Sequence, residues 1–278
     1  MPFACLFPRI SLQHSKEPFH FMKNLFRALP LLILFSSLSA NSEILFEGYY
    51  KVLQFKKHVG FYVLRTEVDA KTGQFKTSSF TRLAKNGFDM TESLQTVSNS
   101  DLAPISYNYL AAEGKKTKTI DAKFAKDKMT AIATENGKAS KIEKKIPKGI
   151  FLSTALYYLM LKGKDGLKTD SKYDFSAIAE ELAEIKTGSA KVDKKMITQG
   201  SLQLLKVSNK FAGMEYENLI TERGEAISAV TAATGIETEL VKSSEEALEG
   251  IKVNSVVFEK LFGDIPTGKI NVYHAKGK

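Results

Sequence analysis

The stretch Ile44-Leu45-Phe46-Glu47-Gly48-Tyr49-Tyr50-Lys51-Val52-Leu53-Gln54 decides the fold class. Phe46, Tyr50 and Val52 fall on one side of an extended chain and Glu47 and Lys51 on the other, the two-residue alternation of a strand with one buried face. Residues 61–69 keep the same period, with Tyr62, Leu64, Thr66 and Val68 pointing one way and Arg65, Glu67 and Asp69 the other.

The pattern extends outward. Lys71-Thr72-Gly73 supplies a flexible corner, and residues 75–83, rich in Thr, Ser and Phe, read as the returning strand of a hairpin. Asn86-Gly87 marks a second tight turn. Asn136-Gly137 marks a third, between strands expected over 129–134 and 139–142, because both residues tolerate the positive φ of a type I′ hairpin. Further short strands are expected over 172–178, 201–211, 214–221, 226–231 and 236–241, punctuated by Gly213, Gly224 and Gly235. Ser243 followed by Glu246 is a capping-box pair and predicts one or two helical turns over 244–249.

One segment departs from this period. Residues 150–162 are apolar around nearly the whole circumference of a helix, follow Pro147 and Lys148, and stop at Gly163. About twelve residues cannot span a bilayer, so the segment reads as a buried core helix. The expected fold is mainly β: an antiparallel meander curled into a barrel or half-barrel around one buried helix, since full or partial closure removes exposed sheet edges.

Residues 1–40 read as an export signal. Lys23 and Arg27 form a basic n-region, Leu29 to Phe35 a short apolar h-region, and Leu38-Ser39-Ala40 a small-residue site, so cleavage is expected after Ala40. Met22, directly before Lys23, is the expected true start. The apolar run is interrupted by Pro30 and is much shorter than the roughly 20 residues of a permanent span, so no stable transmembrane anchor is expected. Residues 41–262 then form one β-rich globular domain and 263–278 a C-terminal tail. The only cysteine, Cys5, lies in the leader. A processed chain without thiols excludes disulfides, thiol nucleophiles, Cys-ligated metals and a lipidated cysteine. Loss of Arg9, Lys16, Glu17, Lys23 and Arg27 with the leader takes the formal charge from +9 to +6. The expected location is periplasmic or secreted.

Gly60-Phe61-Tyr62 in a second strand, then Leu102-Ala103-Pro104-Ile105-Ser106-Tyr107, an apolar helix and further strands resemble the periplasmic β-barrel family catalogued as domain of unknown function 3108. The resemblance covers roughly residues 46–241. It implies a curved antiparallel sheet wrapped around a helix in the Gram-negative envelope, similar to lipoprotein-carrier barrels that hold acyl chains. It transfers no catalytic residue.

The motifs point away from catalysis. Gly263-x4-Gly268-Lys269 has the glycine and lysine spacing of a phosphate-binding loop, but Ile270 replaces the magnesium-holding Ser or Thr and no βαβ unit surrounds it. It reads as a loop or tail. His58 and His274 have no partner at metal-ligand spacing and read as solvated turn and tail residues. Glu180, Glu181 and Glu184 read as a solvated edge or helical turn. No G-x-S-x-G elbow is present, and no catalytic residue, cofactor or metal is expected.

Lysines cluster at Lys115, Lys116 and Lys118, at Lys141, Lys144, Lys145 and Lys148, and at Lys191, Lys194 and Lys195. On strand edges they would keep sheets from pairing with one another. As a contact surface they suit lipid headgroups, lipopolysaccharide or acidic wall polymers rather than nucleic acid. The leading expectation is a non-enzymatic envelope protein that binds a lipid or other apolar ligand in its curved sheet, with Phe151, Leu152, Tyr157, Tyr158 and Met160 as ligand-binding residues. The alternative is a structural or adaptor protein whose lysine-rich faces contact anionic envelope components or a protein partner. An enzyme would require a pocket uniting His58 with an acid and a hydroxyl.

Overall fold

The computed structural model describes residues 42–164 and 166–274. The export-signal reading therefore lies outside the described residues. Eight consecutive strands form a meander: β1 (Ser42–Gln54), β2 (Lys57–Asp69), β3 (Phe75–Leu83), β4 (Met90–Ser98), β5 (Pro104–Glu113), β6 (Lys116–Ala125), β7 (Lys128–Glu135) and β8 (Lys138–Lys145). A two-residue strand β9 (Phe151–Leu152), a 3₁₀ turn (Ser153–Ala155) and helix α1 (Leu156–Lys162) follow. The chain then returns to strands: β10 (Lys172–Ala179), β11 (Glu184–Val192), β12 (Ile197–Gln199), β13 (Leu202–Phe211), β14 (Met214–Thr221), β15 (Ala226–Thr231) and β16 (Ile236–Val241). Helices α2 (Ser244–Leu248) and α3 (Ser255–Phe262) complete it. Ser243 caps α2 by accepting from the Glu246 N–H, as the capping pair predicts.

The strands form one sheet in the order β8-β7-β6-β5-β4-β3-β2-β1-β16-β15-β14-β13-β11-β10-β9, with β12 attached to β13. All pairings are antiparallel except β9 with β10. Strand β1 is the seam between the two halves: Tyr50 faces Tyr62 of β2 across one edge and Leu240 of β16 across the other.

The end strands β8 and β9 do not pair, so the sheet is not closed, and of the expected barrel or half-barrel the full barrel does not form. The sheet overlaps itself instead. Ala177 and Ala179 of β10 belong to an apolar cluster with Phe46, Tyr50, Leu64 and the α1 side chains, whereas Ile178 between them joins a second cluster with Leu94, Tyr109, Ile120 and Met129. Strand β10 therefore has α1 on one face and β4 to β7 on the other. A strand covered on both faces has to be apolar at successive positions, as Ala177-Ile178-Ala179 is. A third cluster covers the opposite face of β1 to β3. There the Phe258 ring of α3 meets Tyr49, Phe61 and Phe80 edge-on at 6.4, 6.4 and 5.5 Å.

The expected helix over 150–162 shortens to seven residues. Phe151 and Leu152 are taken by parallel pairing with Ala177 and Ile178, a sheet contact that helical periodicity cannot anticipate. Within α1, Leu156, Tyr157 and Met160 are buried.

Gly60 lies opposite Val52 on one side and Leu83 on the other. A Cβ at this position would lie 2.1 Å from the Arg82 carbonyl oxygen, and a backbone atom cannot swing aside. The Gly60→Ala substitution is expected to cost about 2–4 kcal/mol, measured as a lowered urea midpoint with unchanged slope.

Candidate functional site

Of the five expected ligand-binding residues, Phe151, Tyr157 and Met160 belong to the first apolar cluster and Tyr158 packs against it, whereas Leu152 belongs to the second. The Phe151 ring meets that of Phe175, which meets that of Phe211, in tilted contacts at 5.7 Å in each case. Leu152 faces the second cluster, away from Phe151 and Met160 in the first. The Tyr157 hydroxyl accepts from the Asn209 amide at 3.3 Å and from the Asn218 amide, and burial pushes its pKa up to about 12. Tyr157 and Tyr158 share a void, which they line with Leu64, Thr66, Thr154 and Glu225. Its volume is about 20 Å³, room for a single water and far less than an acyl chain needs.

Two larger spaces open to solvent. One, of about 800 Å³, lies along the cross-strand row Phe175, Gly188, Phe211 and Met214, flanked by the Lys210–Glu215 ion pair. The other, of about 500 Å³, lies between the inward face of β6 to β8 and Leu182 in the β10–β11 turn.

The carboxylates depart most from expectation. Glu180 and Glu181, read as solvated, are buried, at 0% and 5% exposure. They sit in the β10–β11 turn beneath the overlapping β4, which contributes a third buried acid, Glu92. Ser153 Oγ donates to Glu180 Oε2 at 2.6 Å, and the Tyr109 hydroxyl donates to Glu92 Oε2 at 3.2 Å. Thr96 and Thr154 join across the same overlap at 3.1 Å. Burial foremost, reinforced by the Glu181 charge, raises Glu92 from 4.5 to about 8. Glu180 rises to about 7 through burial, partly offset by the Ser153 hydrogen bond. Burial thus favours the protonated form of both carboxyls. The cluster is closed to solvent, so its carboxyls are held toward their neutral forms within the overlap.

His58 is also less exposed than expected. It is half-buried, with Nε2 2.8 Å from the Gly60 carbonyl and Nδ1 3.1 Å from Lys85 Nζ. Burial first, then Lys85, lowers its pKa. Glu249 lies 3.7 Å away. Among the described residues no set of three His, Cys, Asp or Glu side chains is arranged to hold a metal.

The phosphate-loop look-alike binds an anion from its own chain. Glu47 Oε1 accepts from the Thr267 N–H, the Thr267 hydroxyl and the Gly268 N–H at 2.7, 2.8 and 2.6 Å. Glu47 Oε2 accepts from Arg65 Nε at 2.6 Å, and Arg65 Nη2 reaches Asp264 at 2.6 Å. Residues 264–271 are thereby fastened onto β1, where the Glu47 N–H also donates to the Ile270 carbonyl at 2.7 Å.

Two measurements check these sites. Arg65→Met would leave the Glu47 carboxylate buried without its cation and is expected to cost about 3–5 kcal/mol in chemical denaturation. For Glu92 the folded-state pKa is raised, so the folded state holds the proton more tightly than the unfolded chain. The stability this confers is full below about pH 4.5 and is lost as pH rises through about 8. Glu92→Gln should therefore stabilise the protein by about 1–3 kcal/mol above pH 8 and flatten the fall in stability across that window.

The family described as Protein of unknown function (DUF3108) matches residues 19–213. The match takes in β1 to β13, while β14 to β16, α2 and α3 follow it. No curated protein and no solved structure gives a match. With more than two thirds of its length inside that match, the chain belongs to the DUF3108 family.

Proposed function

We propose that this protein is an exported, non-enzymatic component of the cell envelope. In this reading a half-barrel curved around α1 is the scaffold, and the lysine-rich strands β6 to β8 contact anionic envelope material or an acidic protein partner.

The placement of charge carries the reading. Residues 113–148 contain eleven lysines and five acids, a net of +6, which equals the net charge of the whole chain after residue 40. Five of these lysines are in ion pairs: Lys118 with Glu135, Lys128 and Lys141 with Glu143, Lys144 with Glu184, and Lys145 with Asp127. Among the described residues Lys115, Lys116, Lys123, Lys126, Lys138 and Lys148 have no ion-pair partner. Charge gathered at one end of a molecule sets up a local potential that attracts polyanions and orients their approach.

An apolar ligand is the second reading, and the groove along Phe175, Phe211 and Met214 favours it, because its volume of about 800 Å³ is in the range of small-molecule sites. Lipid carried there should be recovered by mass spectrometry after gentle purification. A clean spectrum would remove this second reading.

For the leading reading, the protein should bind vesicles containing anionic lipid at about 0.05 M salt and release them by about 0.3 M. Replacing the six unpaired lysines with glutamine should abolish that binding while leaving the unfolding midpoint nearly unchanged. Binding that ignores salt, or that survives the six replacements, would refute it. Export is checked by sequencing the amino terminus of protein from the envelope fraction, which should begin at Asn41.

A further inference from the structure

We propose that the outer edge of β8 is the docking site for an extended, acidic segment of a partner protein, which adds to the sheet as a further strand. The inference rests on the charge reading above and names the partner of that same surface.

Strand β8 pairs with β7, and among the described residues nothing pairs with its other edge. The direction of its backbone groups follows from the turn that precedes it. Asn136 and Gly137 have φ of 49° and 83°, the two left-handed residues of a type I′ turn, closed by the pair Glu135 and Lys138. The closing pair of such a hairpin exchanges two hydrogen bonds, and bonded and non-bonded pairs then alternate. Lys138, Ser140, Ile142 and Lys144 thus turn their N–H and C=O groups toward β7. Ala139, Lys141, Glu143 and Lys145 turn theirs toward solvent, a template for strand addition.

Side chains select the occupant. The inward face of β8 supplies Lys138, Ser140 and Ile142 to the groove of about 500 Å³ that also contains Ile120, Ala133 and Leu182. An added strand would place alternate residues over that partly apolar floor. Antiparallel self-pairing of two copies would bring together two strands that each carry four lysines and one glutamate, a like-charge encounter with a Coulomb penalty. A strand rich in Glu or Asp reverses that penalty. A flat anionic surface would use the lysines but would leave the row of backbone donors and acceptors unpaired, which is why an extended peptide is favoured over a membrane.

The test uses an acetylated and amidated eight-residue peptide of alternating Glu and Val, titrated into the purified protein, with three forms compared. In Lys141→Pro the outward N–H is lost and the β7–β8 ladder is kept, because that N–H does not point at β7. Lys141→Gln loses the same charge and keeps the N–H. Unfolding midpoints close to that of the unmodified protein establish that both variants fold. The peptide should bind the unmodified protein, bind Lys141→Gln within about threefold, and bind Lys141→Pro at least about tenfold more weakly. Amide exchange at Ala139, Lys141 and Glu143 should slow when the peptide is present. Equal binding by the two variants would overturn strand addition and leave the charge reading standing. So would vesicle binding without peptide binding. Binding of neither probe would overturn both. Self-association lost in Lys141→Pro would assign the edge to a second copy and also overturn the proposal.

Discussion

Strand β1 has hydrogen-bonded neighbours on both edges and packed side chains on both faces, and the rest of the molecule is built from that position outward. Its register with β2 and β16 sets Phe46, Tyr50 and Val52 toward α1 and Glu47 and Tyr49 toward α3. A slip of one residue would exchange these two sets and place a carboxylate in the larger apolar cluster, so the register is strongly specified. The same constraint forces Glu47 into a closed space. A buried carboxylate needs a counter-charge and donors for its remaining lone pairs. Arg65 on β2 supplies the first and Thr267 and Gly268 the second. The last described segment of the chain is thus tied down by a charge that the first strand must bury.

The overlap of the sheet has a parallel consequence. On β4 the buried positions are Met90, Glu92, Leu94, Thr96 and Ser98, a strict alternation in which three of five residues are polar. Such a face is suited to meeting another polar surface. Ser153, Thr154, Glu180 and Glu181, from the segments flanking α1 and ending β10, provide it. Burial makes the neutral carboxyl the cheaper species there, and this is why two of these acids titrate near neutrality while Glu143, exposed between Lys128 and Lys141, is held at about 2 by its hydrogen bonds to those lysines.

How much of this was legible depended on how local each signal is. The side-chain alternation of β1 and β2, the hairpin at Asn136-Gly137 and the cap at Ser243 depend on neighbours in sequence, and they stand as read, whereas the single buried face expected of β1 does not, because Glu47 and Tyr49 are buried as well. The turn between β1 and β2 gave no such sign. Phe55 and Lys56 take left-handed φ without a glycine, asparagine or aspartate, and the Phe55 ring lies against Gly235 from the opposite half of the chain. The helix boundary failed where Phe151 and Leu152 found a parallel partner. The burial of Glu180 and Glu181 depends on Glu92 and Ser153, distant residues that one sequence cannot associate with them. Arg65 followed the strand period but not the expectation that its face meets water, because α3 and residues 264–271 cover it. Local chemistry fixes which way a side chain points, whereas what it meets there is set by topology.

Topology also decides where the sheet remains incomplete. A closed barrel has no edge to guard, but the main run of this sheet ends in two, at β8 and β9. The β9 edge is two residues long, with Phe151 in the first apolar cluster and Leu152 in the second, which leaves little to template on. The β8 edge is eight residues long and remains at the surface. Lysines along it repel another copy of the same edge, so the feature that suppresses self-assembly also defines what the edge can accept. Repulsion among like strands and attraction for an acidic one are the same Coulomb interaction with the sign of the incoming chain reversed. The protective and the binding readings of these lysines are therefore compatible, and the choice between them turns on whether a strand of the opposite charge is encountered where the protein resides.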